Sequence, residues 1–214
     1  MGEPVPPSSP SGTDPVPLPW PLPDRLDLRD RLVAAYTTGR GYHDLTHLAE
    51  VLARLDELGE GGNTTLLLAA WFHDAVYDGA PDAEERSARL AEAQLGADAA
   101  DGPAPDVAEV ARLVRLTEHH DPAPDDHHGE ALCDADLAIL AAPADRYAEY
   151  TAGVRRDYAA FSDADFRAGR LAVLEDLAAR EALFRTAHAR EHWEPRAREN
   201  LAREIEALRR GEPS

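Results

Sequence analysis

From Asp24 onward, apolar residues recur every three or four positions against a background of Ala, Leu, Arg and Glu, the period of helices that bury one face. Leu26, Leu32 and Val33 belong to a first helix that ends near Gly39 and Gly41. A second starts around Asp44 and places Leu48, Val51, Leu52 and Leu55 on one face, and the Gly59–Asn63 cluster stops it. Asn63 or Thr64 can cap a third helix, which includes Leu66, Leu67, Leu68, Trp71, Phe72, Val76 and Tyr77. Further helices are predicted at about 82–95, 105–118, 143–160, 163–179 and 193–210, punctuated by Pro103, Pro105, Pro122, Pro124 and Pro143. No alternating strand pattern runs beyond a few residues and no internal repeat is visible. The expected class is all-α, a bundle of about seven to nine helices in one domain over residues 24–211.

Composition adds a tail and a set of exclusions. Residues 1–23 hold 9 of the 17 prolines and no Lys or Arg, which predicts a disordered Pro-rich tail rather than a signal peptide. No segment reaches the ~18 uninterrupted apolar residues of a membrane span, so a cytoplasmic protein without a membrane partner is expected. The chain has 41 acidic residues against 22 basic ones, all of them Arg, for a net charge of −19. That balance argues against nucleic acid as a partner, because polyanion binding relies on a field of cations. A single cysteine, Cys133, excludes an internal disulfide framework and a cysteine-based zinc finger. Oligomeric state has no signature in the sequence.

The chemistry is carried by ionisable residues inside apolar runs. Ten of the twelve residues from Leu66 to Tyr77 are apolar, and the two exceptions are His73 and Asp74. An unpaired carboxylate in such a helix costs several kcal/mol, so Asp74 needs a cation or strong donors. A second apolar run, Ala131 to Leu140, is broken only by Asp134 and Asp136. Two positions apart is about 200° around a helix, so these two cannot both face one point within it. Asp136, deeper in the run, is the better ligand; Asp134 is either a helix cap or a neighbour of the site. His43 and His47 stand four apart and share a helix face. Together these residues offer two imidazoles and two carboxylates, a donor set suited to a divalent metal with open positions.

In this order, His47, His73-Asp74 and Asp136 resemble the metal-binding signature of the HD superfamily of phosphohydrolases. The stretches YHDLTHLAEVL, AAWFHDAVYD, EERSA, LTEHH, DADLAIL, GRLAVL and ARENLAREI are similar to those of bacterial predicted metal-dependent hydrolases of that superfamily, over about Arg40 to Leu208. The opening motif is also similar to that of cyclic-nucleotide phosphodiesterases. The resemblance implies an HD-domain-like helical bundle in which His47, His73, Asp74 and Asp136 bind one or two divalent ions (Mn, Mg, Fe, Co, Ni or Zn). By analogy with the phosphodiesterases, His43 would protonate the leaving oxygen; Asp74 could also serve catalysis by bridging a second ion. Asp44 and Ala83 depart from the related motifs, each standing where Asn is expected, Ala83 just before Glu84.

A metal of this kind generates hydroxide and polarises a phosphoryl oxygen, so the implied activity is hydrolysis of a small nucleotide or related phosphate ester. Glu84, His120 and Asp78 are possible further contributors around the metal. Arg40, Arg155 and Arg156 are candidates for phosphate contact, since the chain has no Lys. The tract His119–His128 reads as a flexible surface loop in which His120 is the residue to watch. Residues 98–136 carry eleven acids against two arginines, an acidic field that also attracts divalent cations. Two rival readings stand beside the hydrolase: a di-iron oxygenase, which needs further His ligands, and a non-catalytic helical scaffold whose buried charges merely pair.

Overall fold

Helical periodicity organises the whole described chain. The computed structural model describes residues 18–96 and 105–211. Within them lie ten α-helices and no strand: α1 (Leu26–Thr37), α2 (Leu45–Glu57), α3 (Thr64–Phe72), α4 (Ala83–Gly96), α5 (Val107–Leu116), α6 (His127–Leu137), α7 (Ala144–Asp157), α8 (Asp163–Ala179), α9 (Ala187–His192) and α10 (Glu194–Arg210). A 3-10 turn, Ala138–Ala141, continues α6. None of these helices is long and apolar enough to cross a membrane.

Side-chain caps set several starts. Asp44 accepts from the backbone N–H groups of Thr46 at 2.8 Å and His47 at 3.2 Å to begin α2, and Asn63 accepts from Leu66 N at 3.3 Å to begin α3. Helix α6 begins inside the tract expected to be a loop: Asp126 caps it through Gly129 N, and His127 and His128 form its first turn. The short α9, capped by Thr186, was also not anticipated.

Two apolar cores lie side by side. The first gathers α1 to α6 around Leu48, Leu52, Leu66, Trp71, Phe72, Leu113 and Leu132. Helix α3 is buried from Leu66 to Phe72, and each large side chain there contributes roughly 1.5–3 kcal/mol by leaving water. The second core joins the 3-10 turn, α7, α8, α9 and α10 through Leu140, Tyr150, Leu174, Phe184, Trp193 and Leu201, and includes Tyr42 from the loop between α1 and α2. The ionisable residues of interest sit at the seam between the two.

Residues 1–17 of the expected tail lie outside the described residues, as does Pro103. The last part of that tail is not free: Leu18, Trp20 and Leu22 pack on the first core. Trp20 meets Trp71 edge to face at 5.0 Å, and Trp71 Nε1 donates to Pro19 O at 2.8 Å. At the other end, Arg198, Asn200 and Glu204 tie α10 inward. Asn200 donates to Leu140 O and Ala142 O at 2.8 and 3.0 Å, and Glu204 accepts from Tyr147 and Arg170.

Candidate metal centre

Three segments meet at one buried point. Helix α2 supplies His47, the end of α3 supplies His73 and Asp74, and the last turn of α6 supplies Asp136. The helix expected to run to Tyr77 stops at Phe72, and His73 is its C-cap. Beyond it, tertiary partners replace helical hydrogen bonds. Tyr36 Oη accepts from Asp74 N at 3.3 Å, Arg40 Nη1 donates to Asp74 O at 2.8 Å, and Ser87 Oγ accepts from Val76 N at 3.0 Å.

His73 Nδ1 lies 2.7 Å from Ala70 O. A carbonyl only accepts, so Nδ1 carries a proton and Nε2 is turned to the cluster. His73 Nε2 is 3.0 Å from His47 Nε2, 3.1 Å from Asp74 Oδ2 and 3.7 Å from Asp136 Oδ1. His47 Nε2 in turn lies 3.1 Å from Asp136 Oδ1 and 3.4 Å from Asp74 Oδ2. Donors bound to one ion at about 2.1 Å are separated by about 3.0 Å along an octahedral edge and about 3.4 Å along a tetrahedral one, so the spacings among His47, His73 and Asp74 fit a shared cation, with Asp136 at the edge of the group. His47, His73 and Asp74 are buried, and Asp136 is 14% exposed.

The charges reinforce that fit. Asp74 Oδ2 is buried and makes no hydrogen bond despite its proximity to both imidazoles. A buried carboxylate oxygen without a donor is costly unless a cation faces it. Burial opposes ionisation of Asp74 and Asp136, yet the imidazoles around them, His73 foremost, hold both well below the usual carboxylate range. Burial likewise opposes an imidazolium at His47, but Asp136 and Asp74 outweigh it and push His47 up to about 10. The cluster demands positive charge in its interior, which protons or a divalent ion can supply.

His43 stands beside the cluster without joining it, its ring 5.8 Å from that of His47 and stacked on Tyr77 at 4.1 Å. Its Nδ1 lies 2.8 Å from Asp157 Oδ2. Asp157, the last residue of α7, also accepts from Gly41 N at 2.5 Å and Tyr42 N at 2.9 Å, and its side chain is 2% exposed. Burial raises its pKa, but His43 and the two amides more than offset this and hold the carboxyl below its ordinary value. An ionised Asp157 can only accept, so His43 Nδ1 donates and its Nε2 is left for other work. Sequence reasoning missed Asp157, which lies in a polar Arg155-Arg156-Asp157-Tyr158 run with no local mark of burial. It is carried to His43 by a glycine contact: a Cβ on Gly153 would lie 2.9 Å from Tyr42 Cβ, and one on Gly41 would collide with Gly153 O.

The remaining predicted residues separate into three groups. His120, held at φ +49°, places Nε2 2.8 Å from Asp136 Oδ2 and so does reach the centre. Asp134 does not: it accepts from Arg185 N at 2.9 Å and Thr186 N at 2.7 Å, fastening the chain that leads into α9. Arg40 is close but committed, donating to His43 O, Asp74 O and Ala75 O at 2.9, 2.8 and 3.3 Å, so it braces the two motif-bearing segments instead of waiting for phosphate. Glu84, in the first turn of α4, has no hydrogen bond or ion pair to the cluster among the described residues. Asp78 pairs with Arg86 at the surface. Arg155 holds Tyr158 O, Phe161 O and Asp163, and Arg156 reaches Gly41 O at 3.4 Å. His188 pairs with Glu57 at 3.1 Å and stacks on His192, as inter-helix polar residues would.

The chain matches no protein-family model, no curated protein and no solved structure.

Proposed function

We propose that the protein is a divalent-metal-dependent phosphohydrolase of the HD type, acting on a small phosphate ester. The reading rests chiefly on one observation: His47, His73 and Asp74 converge at the spacing of donors to one ion, with a buried Asp74 oxygen that makes no hydrogen bond, and Asp136 Oδ1 lies beside them, 3.1 Å from His47 Nε2 and 3.7 Å from His73 Nε2. These four residues would hold the ion, and His120 orients Asp136 from behind or adds a donor for a second one. A divalent ion in such a site supplies a hydroxide nucleophile at neutral pH and draws charge from a phosphoryl oxygen.

The chain's own part is positioning and proton transfer. His43 Nε2 donates a proton to the departing oxygen, while Asp157 holds Nδ1 and stabilises the imidazolium that makes this possible. The net charge of −19 favours small substrates over polyanions. Arg40 is engaged on the carbonyls of His43 and Asp74, so His47, His73, Asp74 and Asp136 would hold the ion that offsets the phosphate's charge.

The test is a panel of phosphomonoesters and phosphodiesters offered to the full chain with Mn, Mg, Fe, Co, Ni or Zn in turn. Hydrolysis that a chelator abolishes and one of these ions restores supports the reading. A stoichiometric two-iron centre that consumes oxygen and cleaves no ester would replace it with the oxygenase.

A further inference from the structure

The side of the centre on which His43 lies carries an aromatic face with no assigned role. Tyr77 stacks on His43 at 4.1 Å, and His43 Nδ1 lies 2.8 Å from Asp157 Oδ2, the residue before Tyr158. Tyr158 directly follows Asp157 and is 43% exposed; Phe161, 5.9 Å from it, is 55% exposed. Among the described residues, the other exposed large apolar side chains, Leu26 and Val173, stand singly on α1 and α8.

The turn that presents this pair is fastened in place. Phe161 N donates to Tyr158 O at 3.0 Å, and Arg155 donates to Tyr158 O at 2.8 Å, to Phe161 O at 3.2 Å and to Asp163 at 2.7 Å. Arg155 also covers the ring of Phe166 at 4.9 Å, and Phe166 lies 6.2 Å from Tyr158. Two aromatic rings are thus held toward water by three hydrogen bonds and an ion pair, where burying them would gain free energy.

His43 acts on the departing oxygen, so the departing group extends over the His43 side of the centre. We propose that Tyr158 and Phe161 form the subsite for a planar aromatic departing group, either the base of a nucleoside or a simple aryl ring. The proposal rests on the phosphohydrolase reading. A flat ring gains by stacking on such a surface, whereas a short aliphatic alcohol offers no face to stack.

The experiment compares kcat/KM for adenosine monophosphate, para-nitrophenyl phosphate and glycerol phosphate in the metal-loaded full chain, with Tyr158→Ser, Phe161→Ser and Tyr158→Phe. Each serine variant is expected to lower the ratio of nucleotide or aryl ester to glycerol phosphate by about tenfold, and Tyr158→Phe to keep it because the ring remains. The nucleotide and aryl arms tell a base from a simple ring, and a fall in either supports the subsite. Unchanged ratios in both serine variants, or a loss in Tyr158→Phe equal to that in Tyr158→Ser, overturn the proposal while the phosphohydrolase reading stands. A wild type that cleaves none of the three, nor any phosphodiester of the wider panel, with any metal overturns both.

Discussion

Replacing Asp157 by Asn tests the proton-transfer half of the account with little change in volume. Oδ2 of Asp157 serves both Tyr42 N and His43 Nδ1, and Oδ1 serves Gly41 N. Whichever way the new amide is turned, its NH2 group therefore meets at least one donor in a position that is 2% exposed. Leaving that donor unpaired costs about 1–3 kcal/mol of folding stability. The imidazolium of His43 also loses a charge-assisted hydrogen bond worth about 1.5–3 kcal/mol, which converts to roughly a ten- to hundredfold lower rate wherever the leaving oxygen needs a proton. The assay is kcat on two esters, glycerol phosphate, whose alkoxide must be protonated to leave, and para-nitrophenyl phosphate, whose phenolate leaves unaided. The variant should lose the full factor on the first and much less on the second, with KM little changed. His43→Ala combined with Asp157→Asn should be no worse than His43→Ala alone, because the two act as a unit. Equal losses on both esters, or an undiminished rate on glycerol phosphate, would refute the assignment of His43 as the acid and Asp157 as its support.

Other expectations follow from the same contacts. Gly153→Ala should destabilise the protein by about 1–3 kcal/mol in urea unfolding, since the new methyl group would sit 2.9 Å from Tyr42 Cβ and 3.1 Å from its Cα; an ordinary helical Gly→Ala change would stabilise. The same variant should lower kcat on glycerol phosphate, because α7 carries Asp157 away from His43. Asp126, whose carboxyl Arg112 holds below its ordinary value, caps α6 through Gly129 N at 3.0 Å. A depressed carboxylate contributes stability above its unfolded value and loses it as pH falls through the folded one. Asp126→Ala should therefore cost about 1–2 kcal/mol at neutral pH, and the difference from wild type should shrink in unfolding curves taken below about pH 4; a difference that persists in acid contradicts the sign.

Most helices were legible because their apolar stripes and caps are local. Asp44, Asn63 and the Leu48, Val51, Leu52, Leu55 face lie where periodicity puts them. The end of α3 was not, since Ala75, Val76 and Tyr77 continue the apolar run and the chain is turned aside by Tyr36, Arg40 and Ser87 from other elements. The start of α6 was hidden because His127 and His128 look like loop residues, and the Asp126 cap that begins the helix is shared with Arg112. Candidate metal donors could be read from sequence because buried charges stand out in apolar runs, and His120 was visible as the loop residue nearest a helix end. Asp157 and the committed Arg40 could not, because both roles arise from contacts with residues more than thirty positions away. Asp134 shows the converse: its burial was legible, but its partners at Arg185 and Thr186 were not.

The central claim is that the buried cluster is a cation site and not a set of mutually satisfied charges. Titrating the full chain with Mn, Zn and the other candidate ions by calorimetry, with metal analysis after dialysis, measures this directly in wild type and Asp74→Ala. One or two ions per chain are expected in wild type, with loss of tight binding in Asp74→Ala and the variant still folded. A wild type that holds no stoichiometric ion, or an Asp74→Ala protein that holds it as tightly, would contradict the account and leave a helical scaffold of paired charges.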